Sequence, residues 1–248
     1  MVILKSLQEI EKIRRACLIV ANVLEIIRTK VQAGVTTKEL DNFAEQFIRD
    51  AGAKPAFKGY RGYPCSLCTS VNEQVVHGIP SQGVMLKQGD IISIDVGAVV
   101  DGFYGDAAIT VPVGSISNEA ERLIRITKES LLKGIAEARP GNRLYDISAA
   151  VQSHVEAHGF SVVREFVGHG IGRSLHEDPQ IPNFGDRGGG PRIKTGMVLA
   201  IEPMVNAGGC VTRVKEDGWT AVTADGSLSA HFEHTIAVMD DGPLILTR

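Results

Sequence analysis

The apolar positions of the chain fall into blocks that repeat. Ser6 to Glu9 and Thr36 to Glu39 each match the S/T-x-x-E pattern in which side chain and backbone cap a helix start reciprocally, and apolar residues follow both. In the second helix Leu40, Phe43, Phe47 and Ile48 form one stripe, and Gly52 stands where a C-terminal cap belongs. Asn118 to Glu121, then the stretch NRLYDISAAVQSHVEAHG, repeats the plan of two helices and a glycine.

The repetition has a constant offset of 107 residues: Gly34 maps to Gly141, Leu40 to Ile147 and Gly52 to Gly159. LKQGDIISID (Leu86 to Asp95) then falls without a gap on IKTGMVLAIE (Ile193 to Glu202), so a glycine, an apolar strand and a final carboxylate recur together. The stretches 53–85 and 160–192 are equal in length and unlike in sequence. Neither half could cover its own apolar strand, whereas two packed copies could. The expectation is an α+β fold: one antiparallel sheet built from both halves about a pseudo-two-fold axis, helices on its outer face and a cleft between the halves. No Pro-rich or Ser-rich linker intervenes, so residues 1–248 read as a single domain, with halves of about 1–107 and 108–248.

Carboxylates stand where those strands should be apolar. Asp95 lies inside IISIDVG, and a lone buried carboxylate is costly without a partner or an ion. Asp106 follows in FYGDAAITV, and a turn at Val100, Asp101 and Gly102 would make the two acids approximate cross-strand neighbours, roughly 5 Å apart at Cβ. In the second half Glu202 ends its strand and Glu233 lies 31 residues further on, so that hairpin must carry about twenty extra residues, from Val205 to Gly226. Four converging carboxylates carry about −4, which two divalent cations would balance. His169 suits a neutral fifth ligand, because glycines at 168, 170 and 172 let the backbone approach closely. Oxygen-rich donors with one imidazole suit Mn, Fe(II), Co or Zn in an open catalytic geometry.

The other histidines read differently. His154 and His158 fall on a helix and suit surface or packing positions, and His234 alternates away from Glu233, which suits a structural hydrogen bond. His231 is expected to share a strand face with Glu233 and there either to perturb metal affinity or to act as an added donor near the metals. GHGIG does not satisfy the dinucleotide-binding pattern and no G-x-S-x-G elbow occurs. Cys65 and Cys68 form C-x-x-C without a second pair at zinc spacing, so neither zinc nor redox chemistry is expected there. With 44% apolar and 22% charged residues and a net charge of −3, the chain has neither a disordered nor a polybasic composition, so nucleic-acid and membrane binding are not expected. The opening MVILKSLQEIEKIRRA offers no signal-peptide core, and a cytoplasmic place is the simplest expectation.

GYPCSLCTSVNEQVVHGIP, IDVGAVVDGFYGDAAIT, GHGIGRSLHEDPQIPNFG, MVLAIEPM and FEHT together resemble the type I methionine aminopeptidases of the pita-bread metallopeptidase superfamily, peptidase family M24, in order and spacing over almost the whole chain. The resemblance implies metal ligation by Asp95, Asp106, His169, Glu202 and Glu233, with Asp106 and Glu233 bridging two divalent ions. It implies that His77 lies near the scissile amide nitrogen, that His176 donates to the carbonyl oxygen, and that Glu202 shuttles a proton to the leaving amine while a metal-activated hydroxide attacks. The implied methionine pocket is Phe57, Tyr60, Tyr63, Cys68, His77, Leu175 and Trp219. Leu175 stands where relatives often have an aromatic residue, and His231 where they often have Gln. The implied substrates are the N-terminal methionines of peptides and nascent proteins, cut by a monomer working near the ribosomal exit tunnel. Aminopeptidase P and prolidase, which cleave Xaa-Pro bonds, share the metal set and are the alternative; they resemble a longer chain with an added N-terminal domain.

Overall fold

A computed structural model describes residues 2–248. The first half runs α1 (Leu7–Lys30), α2 (Thr37–Asp50), β1 (Lys54–Pro55), β2 (Leu67–Val71), β3 (Gln74–Val76), β4 (Ile91–Val100) and β5 (Phe103–Pro112). The second half runs α3 (Asn118–Glu137), α4 (Leu144–Ala157), β6 (Ser161–Val162), β7 (Gly168–Gly170), β8 (Glu177–Ile181) and β9 (Val198–Ile201). It continues through β10 (Met204–Asn206), β11 (Thr212–Val214), β12 (Ala221–Thr223), β13 (Ser229–His231), β14 (Glu233–Met239) and β15 (Gly242–Ile245).

The helix starts follow from local chemistry. Ser6 and Thr36 accept the backbone N–H of Glu9 and Glu39, whose carboxylates accept the cap N–H groups in return at 3.1 and 2.7 Å. The third helix begins one residue earlier than expected: Ser117 is the cap, accepting from Ala120 N–H at 3.2 Å, and Asn118 is already helical. Both residue types cap well, so their order alone could not place the boundary. Among the described residues no helix is long and apolar enough to cross a membrane.

Nine strands form one antiparallel sheet in the order β1-β4-β5-β14-β9-β7-β8, with β2 also on β4 and β15 on β14. The halves meet where β5 pairs β14, Ala108 opposite Glu233 and Ala107 opposite His234. By the 107-residue offset β4 corresponds to β9, and each lies one strand outside that seam. Ile92, Ile94 and Val96 of β4 pack with Val20, Val23 and Ile27 of α1 and Leu40 and Ile48 of α2. In the second half Leu199, Ile201, Ile236 and Val238 pack with Leu131 and Ile135 of α3 and Leu144 and Ile147 of α4. Each such side chain contributes about 1.5–3 kcal/mol on full burial, which commits this face of the sheet to the helices. Because strand side chains alternate, Ser93, Asp95 and Gly97 must face the other way, into the cleft.

The hairpins differ. β4 and β5 are joined by the two-residue turn Asp101-Gly102, with φ of 50° and 76°, as in a type I′ turn. Val100 belongs to the strand rather than to the turn. Between β9 and β14 the chain leaves the sheet over residues 202–232, a wider excursion than Val205 to Gly226. It builds two three-stranded sheets, β13-β10-β6 and β11-β12-β3. The extra strands borrow β3 and β6 from elsewhere, a pairing that no local pattern announces.

Candidate metal centre

The acids converge through register. Asp95 lies opposite Ala108, and Ala108 lies opposite Glu233 on its other side, so three adjacent strands carry acid, alanine and acid at one level. Asp106 lies opposite Gly97, not Asp95: the two aspartates are diagonal neighbours displaced by two residues on the same face. The direct cross-strand pairing expected from sequence is corrected on this point, because the two-residue turn sets the register. Diagonal partners on one face are still within reach of each other, and both acids border the same cavity. Glu202 directly follows Ile201, which pairs His234.

His169 enters from β7, opposite Ala200 of β9. A Cβ at Gly168 would lie 2.4 Å from the Ala200 carbonyl oxygen and one at Gly170 2.1 Å from that of Asp178, so only glycines let this short strand run between its neighbours. The Nδ1 of His169 lies 2.9 Å from the Gly170 carbonyl oxygen, which can only accept. Nδ1 therefore carries the proton and Nε2 presents its lone pair, 3.5 Å from Glu202 Oε1 and 4.0 Å from Asp106 Oδ2.

Burial and mutual repulsion work against the charged forms. Desolvation pushes the Asp95 carboxyl up to about 7 and Glu202 up to about 8. Asp106 and Glu233 rise well above the carboxylate range, first from burial and then from the neighbouring acids. His169 is held neutral, burial lowering it to about 3. Asp95 Oδ1, Asp106 Oδ1 and Glu233 Oε1 are buried without a hydrogen-bond partner, an arrangement that a cation would satisfy. Donor atoms of Asp106, His169 and Glu233 lie within 4.8 Å of one another, as do those of Glu202, His231 and Glu233.

His231 reaches this centre by a different route from the one expected. It ends β13 opposite Met204, in a small sheet, while Glu233 opens β14 in the large one. They do not share a strand face, because the chain changes sheets at Phe232. Its Nε2 nevertheless lies 3.6 Å from Glu202 Oε2 and has no hydrogen-bond partner.

A cavity of about 180 Å³ opens over the acids, lined also by Phe57, Tyr60, Arg61, Tyr63, Cys68, His77, Leu175, His176 and Trp219. The residues that the family resemblance assigned to ligation, catalysis and substrate contact all border this one space. Tyr63 meets Trp219 edge-on at 5.1 Å, and its hydroxyl reaches the carbonyls of Leu67 and Gly78 at 2.9 and 3.0 Å. His77 has a left-handed φ of 60°, packs edge-on to Phe166 at 5.4 Å, and is lowered to about 4 by burial. His176 Nδ1 lies 2.9 Å from the Tyr60 hydroxyl, its ring 4.3 Å from that of His169.

Sequence reading missed Arg61, which lines the cavity from an irregular segment with φ of 49°. Its flanking Gly59 and Gly62 were the available signal. Cys68 lines the cavity opposite Asp95, whereas Cys65 lies 3.9 Å from both Lys38 Nζ and the Pro80 carbonyl oxygen. Away from the site, His154 Nε2 lies 3.0 Å from Glu129, His158 bonds the His154 carbonyl at 2.7 Å, and His234 meets Thr247 at 2.8 Å. These are packing and structural contacts.

The model of the metallopeptidase family M24 matches residues 11–240. A methionine aminopeptidase from Clostridium perfringens is 58% identical over 247 residues, 100% of this chain and 99% of that protein. The crystal structure of a methionine aminopeptidase from Thermotoga maritima, 50% identical, superimposes with a TM-score of 0.99, each chain covered completely. The prolidase from Pyrococcus horikoshii OT3 shares the fold at a TM-score of 0.80 and 23% identity, with 63% of its length covered. The identity over the full chain, together with the curled antiparallel sheet and its acid-lined cleft, establishes that this chain belongs to metallopeptidase family M24.

Proposed function

We propose that the protein is a metal-dependent methionine aminopeptidase that removes N-terminal methionine, and that Asp95, Asp106, His169, Glu202 and Glu233 hold two divalent ions. The observation that carries this reading is the set of unpartnered buried carboxylate oxygens beneath a cavity walled by Tyr63, Trp219 and Leu175. Four acids and one neutral imidazole match the charge and donor preference of Mn, Fe(II), Co or Zn. When bound, such ions acidify water and polarise a carbonyl oxygen.

The chain's own groups supply the rest. Phe57, Tyr60, Tyr63, Cys68, Leu175 and Trp219 offer the aromatic and sulfur surface that a thioether packs against. His176 Nδ1 lies 2.9 Å from the Tyr60 hydroxyl; with that hydroxyl as the donor the ring proton stands on Nε2, which then donates to the substrate carbonyl as negative charge develops. Burial and the Arg61 charge hold His176 below the usual imidazole range, so it acts as a neutral donor. His77 stands beside the scissile nitrogen. Glu202 takes a proton from the attacking water and returns it to the leaving amine.

A Met-Ala-Ser peptide and an Xaa-Pro peptide are incubated with the purified chain, with and without chelator, alongside elemental analysis. Cleavage of the first only, lost on chelation and regained with metal, is expected; cleavage before proline alone overturns the assignment. The reading extends to nascent chains in the cytoplasm, met by a monomer near the ribosomal exit tunnel. Ribosome co-sedimentation and size-exclusion chromatography test that extension.

A further inference from the structure

The segment between β7 and β8 carries His176 as its last residue, and it is folded around one part-buried carboxylate. Glu177 Oε1 accepts the backbone N–H groups of Arg173 at 2.7 Å and Ser174 at 3.1 Å, which closes the turn just ahead of His176. Its other oxygen, Oε2, takes the Lys5 ammonium at 2.5 Å, with side chains 3% and 10% exposed for lysine and glutamate. Lys5 comes from the far end of the chain, ahead of α1, and its own N–H is pinned to the Gly196 carbonyl at 2.7 Å. Its stem lies flat on the loop: a Cβ at Gly172 would meet Lys5 Cε at 2.4 Å, Lys5 Nζ at 2.8 Å and Glu177 Oε1 at 2.9 Å, so the loop glycine is what admits the lysine. From the loop itself Arg173 reaches Glu9 of α1 at 3.4 Å and covers the Phe103 ring at 4.5 Å.

We propose that Lys5 is a positioning residue for His176: its buried ammonium holds the Glu177 carboxylate around which the loop bearing His176 is built. The role rests on His176 acting at the substrate carbonyl as proposed above. A part-buried carboxylate that loses its cation is left with an unpaired charge and draws in water, which competes with the Arg173 and Ser174 amides for it. A displacement of about 1 Å at a reacting group lowers turnover on the order of 10²-fold.

Lys5→Met keeps the apolar stem and removes the charge. With metal restored and Met-Ala-Ser as substrate, kcat is expected to fall on the order of 10²-fold while KM stays within about threefold, since the donor acts on charge that develops in the transition state. Nitrogen NMR of the imidazoles in metal-free protein should show the His176 ring resonances displaced and those of His234 unmoved. Adding Glu177→Gln to Lys5→Met should recover most of the loss, because the amide oxygen still accepts both N–H groups and no charge is left unpaired. A folded Lys5→Met protein with parental kcat, or with unshifted His176 resonances, overturns the proposal. Should Lys5→Met fail to fold, Glu177→Ala, which removes the acceptor of both N–H groups, should lower kcat and displace the His176 resonances, and parental values for both overturn the proposal. If the parent leaves Met-Ala-Ser uncut, the proposed function fails, and the ring resonances alone decide the role of Lys5.

Discussion

The β4–β5 hairpin and the β9–β14 pair descend from one pattern, yet the first is closed by two residues and the second is opened by the excursion over 202–232. The tight hairpin is a rigid bracket: register alone delivers Asp95 and Asp106 to one face. The open one delivers Glu202 and Glu233 to equivalent places, then spends its insertion on the wall, bringing Trp219 to the cavity and His231 to Glu202. Symmetry thus builds the acid floor, and departure from symmetry builds part of the wall above it.

The largest effect should come from the acids on which both hairpins agree. Asp106→Asn and Glu233→Gln should each lower kcat/KM by more than about 10³-fold, several kcal/mol of electrostatic stabilisation, with metal content falling in parallel. Elemental analysis and peptide cleavage check this, and a marked inequality between the two variants would break the comparison.

Next is the pH dependence of the metal-free protein. Asp95 and Glu202 are raised to about 7 and about 8 in the fold, above their unfolded carboxylate values. The folded state therefore binds more protons, so stability is greatest below the unfolded values and falls as pH rises through about 7 and 8. Calorimetry without metal should show Tm dropping between pH 5 and 8, and added Mn(II) or Co(II) should abolish the drop by taking the place of the protons. A flat apo profile would contradict it.

Trp219→Ala tests the excursion's contribution to the wall. KM for Met-Ala-Ser should rise roughly 10-fold, within the range of a lost apolar contact, while metal content is unchanged. Smallest is the contrast between Gly102 in the tight turn and Gly218 in the excursion, both at φ 76° with open space around them. Replacement of either by Ala should cost about 1 kcal/mol in denaturant unfolding. Only Gly102→Ala should weaken metal binding, and only Gly218→Ala should raise KM.

Much of the acid-lined cleft was legible because it rests on local repetition. A helix cap, an apolar strand ending in a carboxylate, and a histidine between glycines each need only a few neighbouring residues to be recognised. The diagonal offset of Asp95 and Asp106 was not legible, since a two-residue and a three-residue turn fit the same residues and differ by a register step. Nor was Arg61, whose irregular backbone belongs to no period, nor the change of sheet at Phe232 that separates His231 from Glu233.

By itself the amino-acid sequence determined the two-fold plan, the four acids and the histidine that belong together, because periodic burial and the cost of isolated charge are local statements. Only the tertiary structure decided which strands meet at the seam, how far the second hairpin opens, and that Lys5 reaches Glu177 across the chain. Those outcomes depend on long-range pairing, where many residues far apart in sequence must be satisfied at once.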